Sequence, residues 1–236
     1  MGVDALGRIR EAPERAAILL DVDGTLAPIV DRPQDAGVPE ETREVLRALV
    51  ARYALVAAIT GRPTVIGKNL VGVDGVPVIG NHGLELAEGA DDWRGRLLEF
   101  GNTVDWPVED KGLSLAYHYR TAEDPDAARA ELERVAERAR EQGLHARFGR
   151  MVLELLPPLA VNKGTALRTL LEGAGLSRAL FAGDDTTDLD AFDALDGLEV
   201  GVKVAVDSAE APAALIERAD VVVPGPPGLV DLLRSL

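Results

Sequence analysis

Cysteine is absent from this 236-residue chain, so neither a disulfide framework nor a thiolate-ligated zinc site is available to it. That agrees with a reducing compartment. Aromatic residues make up only 4%, which leaves few platforms for stacking bases and calls for a core of aliphatic side chains. Basic residues are the minority, 25 Lys and Arg against 40 Asp and Glu. The resulting charge of -15 excludes non-specific binding to nucleic acid or to an anionic membrane surface. No apolar run approaches the roughly 20 residues of a membrane span. Residues Met1 to Arg15 are short and polar, without the apolar stretch of a signal peptide, and Leu6 stands where myristoylation wants Ser or Thr. The expectation is a soluble, cytoplasmic, monomeric protein that binds neither nucleic acid nor membrane.

What the chain does have is 47% hydrophobic residues, ample for one ordinary domain or for a core with a modest insertion. Its organising stretch is Asp21-Val22-Asp23-Gly24-Thr25-Leu26, which follows the apolar run Ala16-Ala17-Ile18-Leu19-Leu20. Such a run predicts a buried, parallel strand that delivers two carboxylates to the carboxyl edge of a sheet, where open α/β sheets keep their ligand sites. Gly24 lets the chain turn away at once. Taken alone, the pair also fits a solvated turn or a nucleotide-sugar site. A calcium loop of the EF-hand type needs Glu at its twelfth position, which here is Arg32.

The pattern continues as strand, helix, strand. Pro39 to Thr42 opens a helix striped by Val45, Leu46, Leu49 and Val50, and residues 54 to 59 form a second buried run ending in Thr60-Gly61-Arg62. A third strand, Val76 to Ile79, ends in Gly80-Asn81-His82-Gly83. From Glu85 to Pro158 the pattern changes: Leu113 to Arg120 predicts a strand with Ser114, Ala116, His118 and Arg120 on one face, Asp126 to Gln142 a charged helix, and 146 to 156 a hairpin around Gly149-Arg150. The series then resumes with a helix opening at Asn162-Lys163-Gly164-Thr165 and a strand, Ala179 to Gly183, that ends in Asp184-Asp185-Thr186-Thr187-Asp188. A short helix at 189 to 195, strands at 198 to 202 and 221 to 223, and helices at 209 to 218 and near the end complete it.

Asp21 with Asp23, Thr60, Lys163, and the acids at 184, 185 and 188 thus collect at strand ends or a helix start. Several carboxylates at one edge repel one another and call for a hard cation such as Mg²⁺. A Lys and a Thr hydroxyl beside them can hold phosphate oxygens, and one free Asp can attack phosphorus. This ordered set, D-x-D-G-T, T-G-R, Lys, G-D-D-x-x-D, resembles the haloacid dehalogenase superfamily of phosphohydrolases across nearly the whole chain. The resemblance implies an α/β fold, a Rossmann-like parallel-sheet core (residues 1–86 and 158–236) with a smaller inserted α+β cap (87–157). It also implies that Asp21 is the nucleophile, Asp23 the general acid/base, Thr60 and Lys163 the phosphate-holding groups, and Asp21, Asp23 (through its backbone carbonyl), Asp184, Asp185 and Asp188 the candidates for Mg²⁺, with 185 or 188 left open.

Three strings narrow the resemblance to trehalose-6-phosphate phosphatases: Glu109 to Arg120, the Gly80-Asn81-His82-Gly83 turn with Glu85, and Glu154 followed by Pro157 and Asn162-Lys163-Gly164. Substrate contacts are then expected from Gly61, Arg62, Asn81, His82, Lys111, Ser114, His118, Arg120 and Glu154, whose polar groups suit sugar hydroxyls. The expected activity is Mg²⁺-dependent hydrolysis of trehalose 6-phosphate through an aspartyl-phosphate. Sucrose-phosphate and mannosyl-3-phosphoglycerate phosphatases are the rivals in class, and a silent sugar-phosphate-binding subunit, with or without a synthase partner, is the rival outside it.

Overall fold

The aliphatic runs that read as buried strands pair with one another at the centre of a parallel sheet. In this computed structural model, residues 2–30, 32, 35–149, 151–209 and 211–236 are described, residues 2–4 in their backbone alone. The chain divides into two compact units, Met1–Gly83 with Val161–Leu236, and Leu84–Ala160.

In the first unit, α1 (Gly2–Glu11) precedes β1 (Ala17–Leu20), and α2 (Glu40–Val50) leads to β2 (Leu55–Ile59). Then come α3 (Thr64–Val71) and β3 (Val78–Ile79). β1 is buried along its whole length and pairs in parallel with β2 on one side and with β8 (Arg178–Gly183) on the other. With β9 (Val200–Asp207) and β10 (Val221–Pro224) the sheet order is β10-β9-β8-β1-β2-β3, parallel throughout. The chain steps outward from β1 to β3 and later returns on the opposite side, so the order reverses at β1. That reversal opens a crevice at the carboxyl ends of β1 and its neighbours. Because both faces are covered, the strands need no alternation. Ile18, Leu20 and Val56 pack with Leu46 and Leu49 of α2, while Leu19, Ile59 and Phe181 pack on the other face with Leu167 and Leu171 of α6 (Lys163–Ala174) and Phe192 of α7 (Leu189–Leu195).

Several elements differ from the sequence expectation. The polar N-terminal stretch forms helix α1, with Leu6 and Ile9 buried in the first of those layers. Their i, i+3 spacing was the only sign, amid Arg8, Arg10 and Glu11. Helix α3 was likewise not anticipated. Strand β9 runs on to Asp207 rather than ending at 202, because partly exposed Lys203 breaks the apolar run without breaking the ladder. The helix read at 209 to 218 starts at Ala213, after Pro212 (α8, Ala213–Arg218).

The second unit is an antiparallel sheet, β4 (Glu109–Asp110), β5 (Leu115–His118), β7 (Val152–Leu156) and β6 (His145–Gly149) in that spatial order. Arg150, read as half of the hairpin turn, lies outside the described residues. The charged helix is α5 (Pro125–Glu141), capped by Asp124, whose carboxylate accepts from the N–H groups of Asp126 and Ala127. A second helix, α4 (Arg94–Gly101), was not foreseen. One face of the sheet, with Leu115, Tyr117, Leu153 and Leu155, packs on Leu132, Val135 and Ala136 of α5 and on Leu97 and Phe100 of α4. On the opposite face the register sets Glu109, Ala116, Glu154 and Arg147 in one row, one residue from each strand. Alternation puts His118 on that face too. Arg120 lies past the end of β5, in a turn.

Tyr117 is fully buried, and its hydroxyl finds no hydrogen-bond partner among the described residues. Burial pushes its pKa from 10.0 up to about 12, only partly offset by Arg138. Folding therefore holds a proton that the unfolded chain releases near pH 10, and stability contributed below that pH is lost as pH rises toward about 12. Tyr117→Phe should hold or raise stability, by up to about 1 kcal/mol, and should flatten the alkaline loss. Urea unfolding at pH 7 and at pH 11 checks both.

Candidate active site

Asp21 is the first residue past β1. Its N–H donates to Ala182 O of β8 at 2.9 Å, which carries the sheet ladder one residue beyond the strand and fixes where the carboxylate emerges. The chain then turns on Val22, whose carbonyl accepts from the N–H groups of Leu26 and Ala27 at 2.9 and 2.8 Å. Gly24 sits in that turn at φ 85°, and a Cβ there would lie 2.0 Å from Asp184 Oδ2. Glycine is thus required twice over, by the backbone and by the acid that approaches it.

Lys163 opens α6. Asn162 caps that helix by accepting from Thr165 N–H, while Thr165 Oγ1 accepts from Asn162 N–H, a reciprocal box that sets the first turn. From there the Lys163 ammonium donates to Asp21 Oδ1 and to Asp188 Oδ1, each at 2.6 Å. Asp188 is fully buried, and its other oxygen accepts from the N–H groups of Asp184 and Asp185, both at 2.9 Å. Asp184 Oδ1 takes a longer bond, 3.4 Å, from Thr25 Oγ1.

Three buried carboxylates here face one ammonium. Burial pushes the Asp21 carboxyl well above the usual range; Lys163 pulls it back, and the charges of Asp188 and Asp184 add to the rise. For Lys163, burial alone would favour the neutral amine, but Asp188 and Asp21 outweigh it and hold the ammonium well above its ordinary pKa. The cluster is short of positive charge. Asp21, Asp184 and Asp188 offer oxygens all within 4.8 Å of one another, a donor set that fits a hard divalent cation.

Asp185 and Asp23 point elsewhere. Asp185 accepts from Thr186 N–H, as a local cap. Asp23 takes a two-pronged bond from Arg62, Nε to Oδ2 and Nη2 to Oδ1, both 2.7 Å. Of the acids read as metal candidates, then, the structure gathers 21, 184 and 188. Arg62, read as a substrate contact, holds Asp23. Thr60, just past β2 and fully buried, accepts from Arg62 N–H through Oγ1 at 3.1 Å. The turn after β3 is tied to this one: Asn81 N–H donates to Arg62 O and His82 N–H to Thr60 O, both 2.9 Å. Asn81 and His82 take positive φ, 49° and 55°, in that turn, and His82 lies against Gly61, where a Cβ would meet its ring at 2.5 Å.

In the second unit, Glu154 of β7 is almost wholly buried and accepts from two cations: Lys111 Nζ on Oε1 at 2.8 Å, and Arg147 on Oε2 through Nε at 3.0 Å and Nη2 at 2.7 Å. Lys111 and Glu154 were anticipated; Arg147 was not. His118 pairs through Nε2 with Glu109 Oε2 at 2.7 Å, and Glu109 too was missed as a site residue. Ser114 is buried, its carbonyl accepting from Lys111 N–H at 3.0 Å. Arg147 and Glu109 were hidden because only strand register, and not chain spacing, brings them beside Glu154 and His118.

The sequence profile of trehalose-phosphatase matches residues 19–106 and 99–217. The chain belongs to the trehalose-phosphatase family. Trehalose-phosphate phosphatase of Mycobacterium avium is 36% identical over 222 residues, 83% of this chain and 55% of that one. An uncharacterized glycosyl hydrolase of Mycobacterium tuberculosis is 36% identical over 217 residues, 80% of this chain but 16% of its own length. The chain thus spans about half the length of the first of these relatives, and less of the second. The C-terminal domain of Candida albicans trehalose-6-phosphate phosphatase superposes with a TM-score of 0.78 at 23% identity, covering 98% of this chain and 95% of that one. The trehalose-phosphatase fold therefore extends over both units. Among the described residues, no helix is long and apolar enough to cross a membrane.

Lys163→Met would leave three buried acids without their ammonium and should lower stability by about 3–5 kcal/mol in chelator. Because the cluster would then be one charge more negative, Mg²⁺ should stabilise this variant more than the unaltered protein. Urea unfolding with EDTA and with Mg²⁺ measures both effects.

Proposed function

We propose that this chain is a phosphatase that hydrolyses trehalose 6-phosphate through an aspartyl-phosphate on Asp21, with the first unit as catalytic core and the second as specificity cap. The observation that carries the reading is the buried cluster of Asp21, Lys163, Asp184 and Asp188 beside the Arg62-held Asp23, at the strand edge where sheet order reverses. Family membership supplies the substrate class.

Lys163 occupies Asp21 Oδ1, so attack falls to Oδ2. That oxygen forms a bond to phosphorus as the bond from phosphorus to the sugar oxygen breaks, and the released alkoxide needs a proton. In this reading Asp23 gives it, then takes a proton from the water that attacks the acyl phosphate and frees inorganic phosphate. Both Asp23 oxygens accept from Arg62, so delivery of a proton requires one prong of that fork to open. Lys163 and the Thr60 hydroxyl stabilise the transferring oxygens by charge and hydrogen bonding. Asp21, Asp184 and Asp188 would hold Mg²⁺, which supplies neutralisation of the phosphoryl group and of the acids around it. In the second unit, Lys111, Ser114, His118, Arg120 and Glu154 are assigned to sugar hydroxyls, and in the first unit Gly61, Arg62, Asn81 and His82 are assigned to substrate. A cytoplasmic monomer remains part of the proposal.

Phosphate release from trehalose 6-phosphate, sucrose 6-phosphate, mannosyl-3-phosphoglycerate and glucose 6-phosphate tests the substrate. Trehalose 6-phosphate should be the preferred one, and EDTA should stop the reaction. Asp21→Asn should abolish release, and Asp23→Asn should lower kcat by about 10²–10⁴-fold. Preference for another sugar would overturn the substrate; full activity of Asp21→Asn would overturn the mechanism.

A further inference from the structure

Arg147 is the one cation in the polar row of the second unit's sheet that neither the motifs nor the proposed chemistry uses. It stands on β6, directly across from Glu154 on β7. Its Nε and Nη2 both donate to Glu154 Oε2, while Lys111 Nζ, arriving from the turn beyond β4, holds Oε1. Side-chain exposure falls from 25% at Arg147 to 11% at Lys111 and 9% at Glu154. The carboxylate is therefore the shielded member of the trio, with each of its oxygens held by a separate cation.

A glutamate on a strand has three side-chain torsions to fix, and one ion pair to flexible Lys111 fixes them poorly. A guanidinium is planar and presents its donors in a rigid fork, so Arg147 restrains the carboxylate where lysine alone would let it swing. Arg147 also changes the electrostatics of the pair. Glu154 with Lys111 is neutral; the trio carries one net positive charge in a chain of net charge -15. The row from Glu109 to Arg147 crosses three interstrand spacings, about 14 Å, which exceeds one sugar ring and reaches a second.

We infer that Arg147 is a positioning residue for substrate selection: it locks the Glu154 carboxylate against Lys111, so that the pair meets the hydroxyls of the distal sugar ring of a disaccharide phosphate already oriented. This rests on the proposed sugar-phosphatase activity and deepens it. Arg147 touches no reacting atom; it acts through Glu154. Preorganisation of this kind shows in substrate binding and in discrimination against smaller phosphates, with little effect on the chemical step.

The test compares Arg147→Met and Arg147→Lys with the unaltered full chain, using trehalose 6-phosphate and glycerol phosphate with Mg²⁺. For Arg147→Met, KM for trehalose 6-phosphate should rise about tenfold while kcat changes less than about threefold, and the ratio of kcat/KM between the two substrates should fall about tenfold. Arg147→Lys, which keeps the charge and loses the fork, should lie between. A merely structural role lowers both substrates alike and leaves that ratio constant, and such a result overturns the inference. So does an unchanged KM. Arg147→Lys guards against a variant that fails to fold. If the unaltered chain turns over glycerol phosphate but not trehalose 6-phosphate, the substrate reading fails, which takes this inference with it and is distinct from an Arg147 failure.

Discussion

A single ammonium, that of Lys163, bridges two acids that the chain brings from the ends of the neighbouring strands β1 and β8. Asp21 comes off β1 itself and Asp188 from the turn after β8, and both donor bonds are 2.6 Å long. Charges this deeply buried are costly unless each is paired and hydrogen-bonded, and the surroundings meet that demand. The second oxygen of Asp188 is satisfied by two backbone N–H groups, and the Asn162–Thr165 box holds the helix turn from which Lys163 reaches in. Three local structures must form together for the one bridge to form, which ties β1, β8 and α6 to a common geometry.

The same bridge leaves a deficit. With Asp184 nearby, three carboxylates share one cation, and burial already works against the ionised form of Asp21. A protein selected for stability alone would place apolar side chains here. The deficit has a use if a divalent cation and a phosphoryl group are to enter, since the first supplies the missing charge and the second then finds Lys163 and Thr60 in place. Asp23 stands outside the cluster, more exposed and held by Arg62. Two acids separated by one residue thus have different surroundings, one buried against Lys163, the other at the rim against a guanidinium.

The second unit solves a related problem in the opposite sense. There the buried carboxylate of Glu154 is held by two cations, one on each oxygen. One face of its sheet is spent on Tyr117, Leu153 and the helices that cover them. The other face keeps ionic side chains in register, and antiparallel pairing decides which of them meet.

The buried strands at residues 17–20, 55–59 and 178–183 were legible because parallel strands covered on both faces read as unbroken aliphatic runs, and the acids that follow them in the chain mark the strand ends. The inserted unit showed itself as a break in that alternation. Helix α1 was not legible, for its burial depends on two side chains amid charges, and β9 was cut short by Lys203. The sequence by itself determined the family and the placing of Asp21, Asp23 and Asp184 after strands and of Lys163 at a helix start, because motif order along the chain is a property of the chain. Only the tertiary structure decided that Asp188 and not Asp185 joins Lys163, that Arg62 grips Asp23, and that Arg147 braces Glu154. Those are choices among chemically equivalent residues, and they are made by turn geometry and strand register, which no spacing in the sequence encodes.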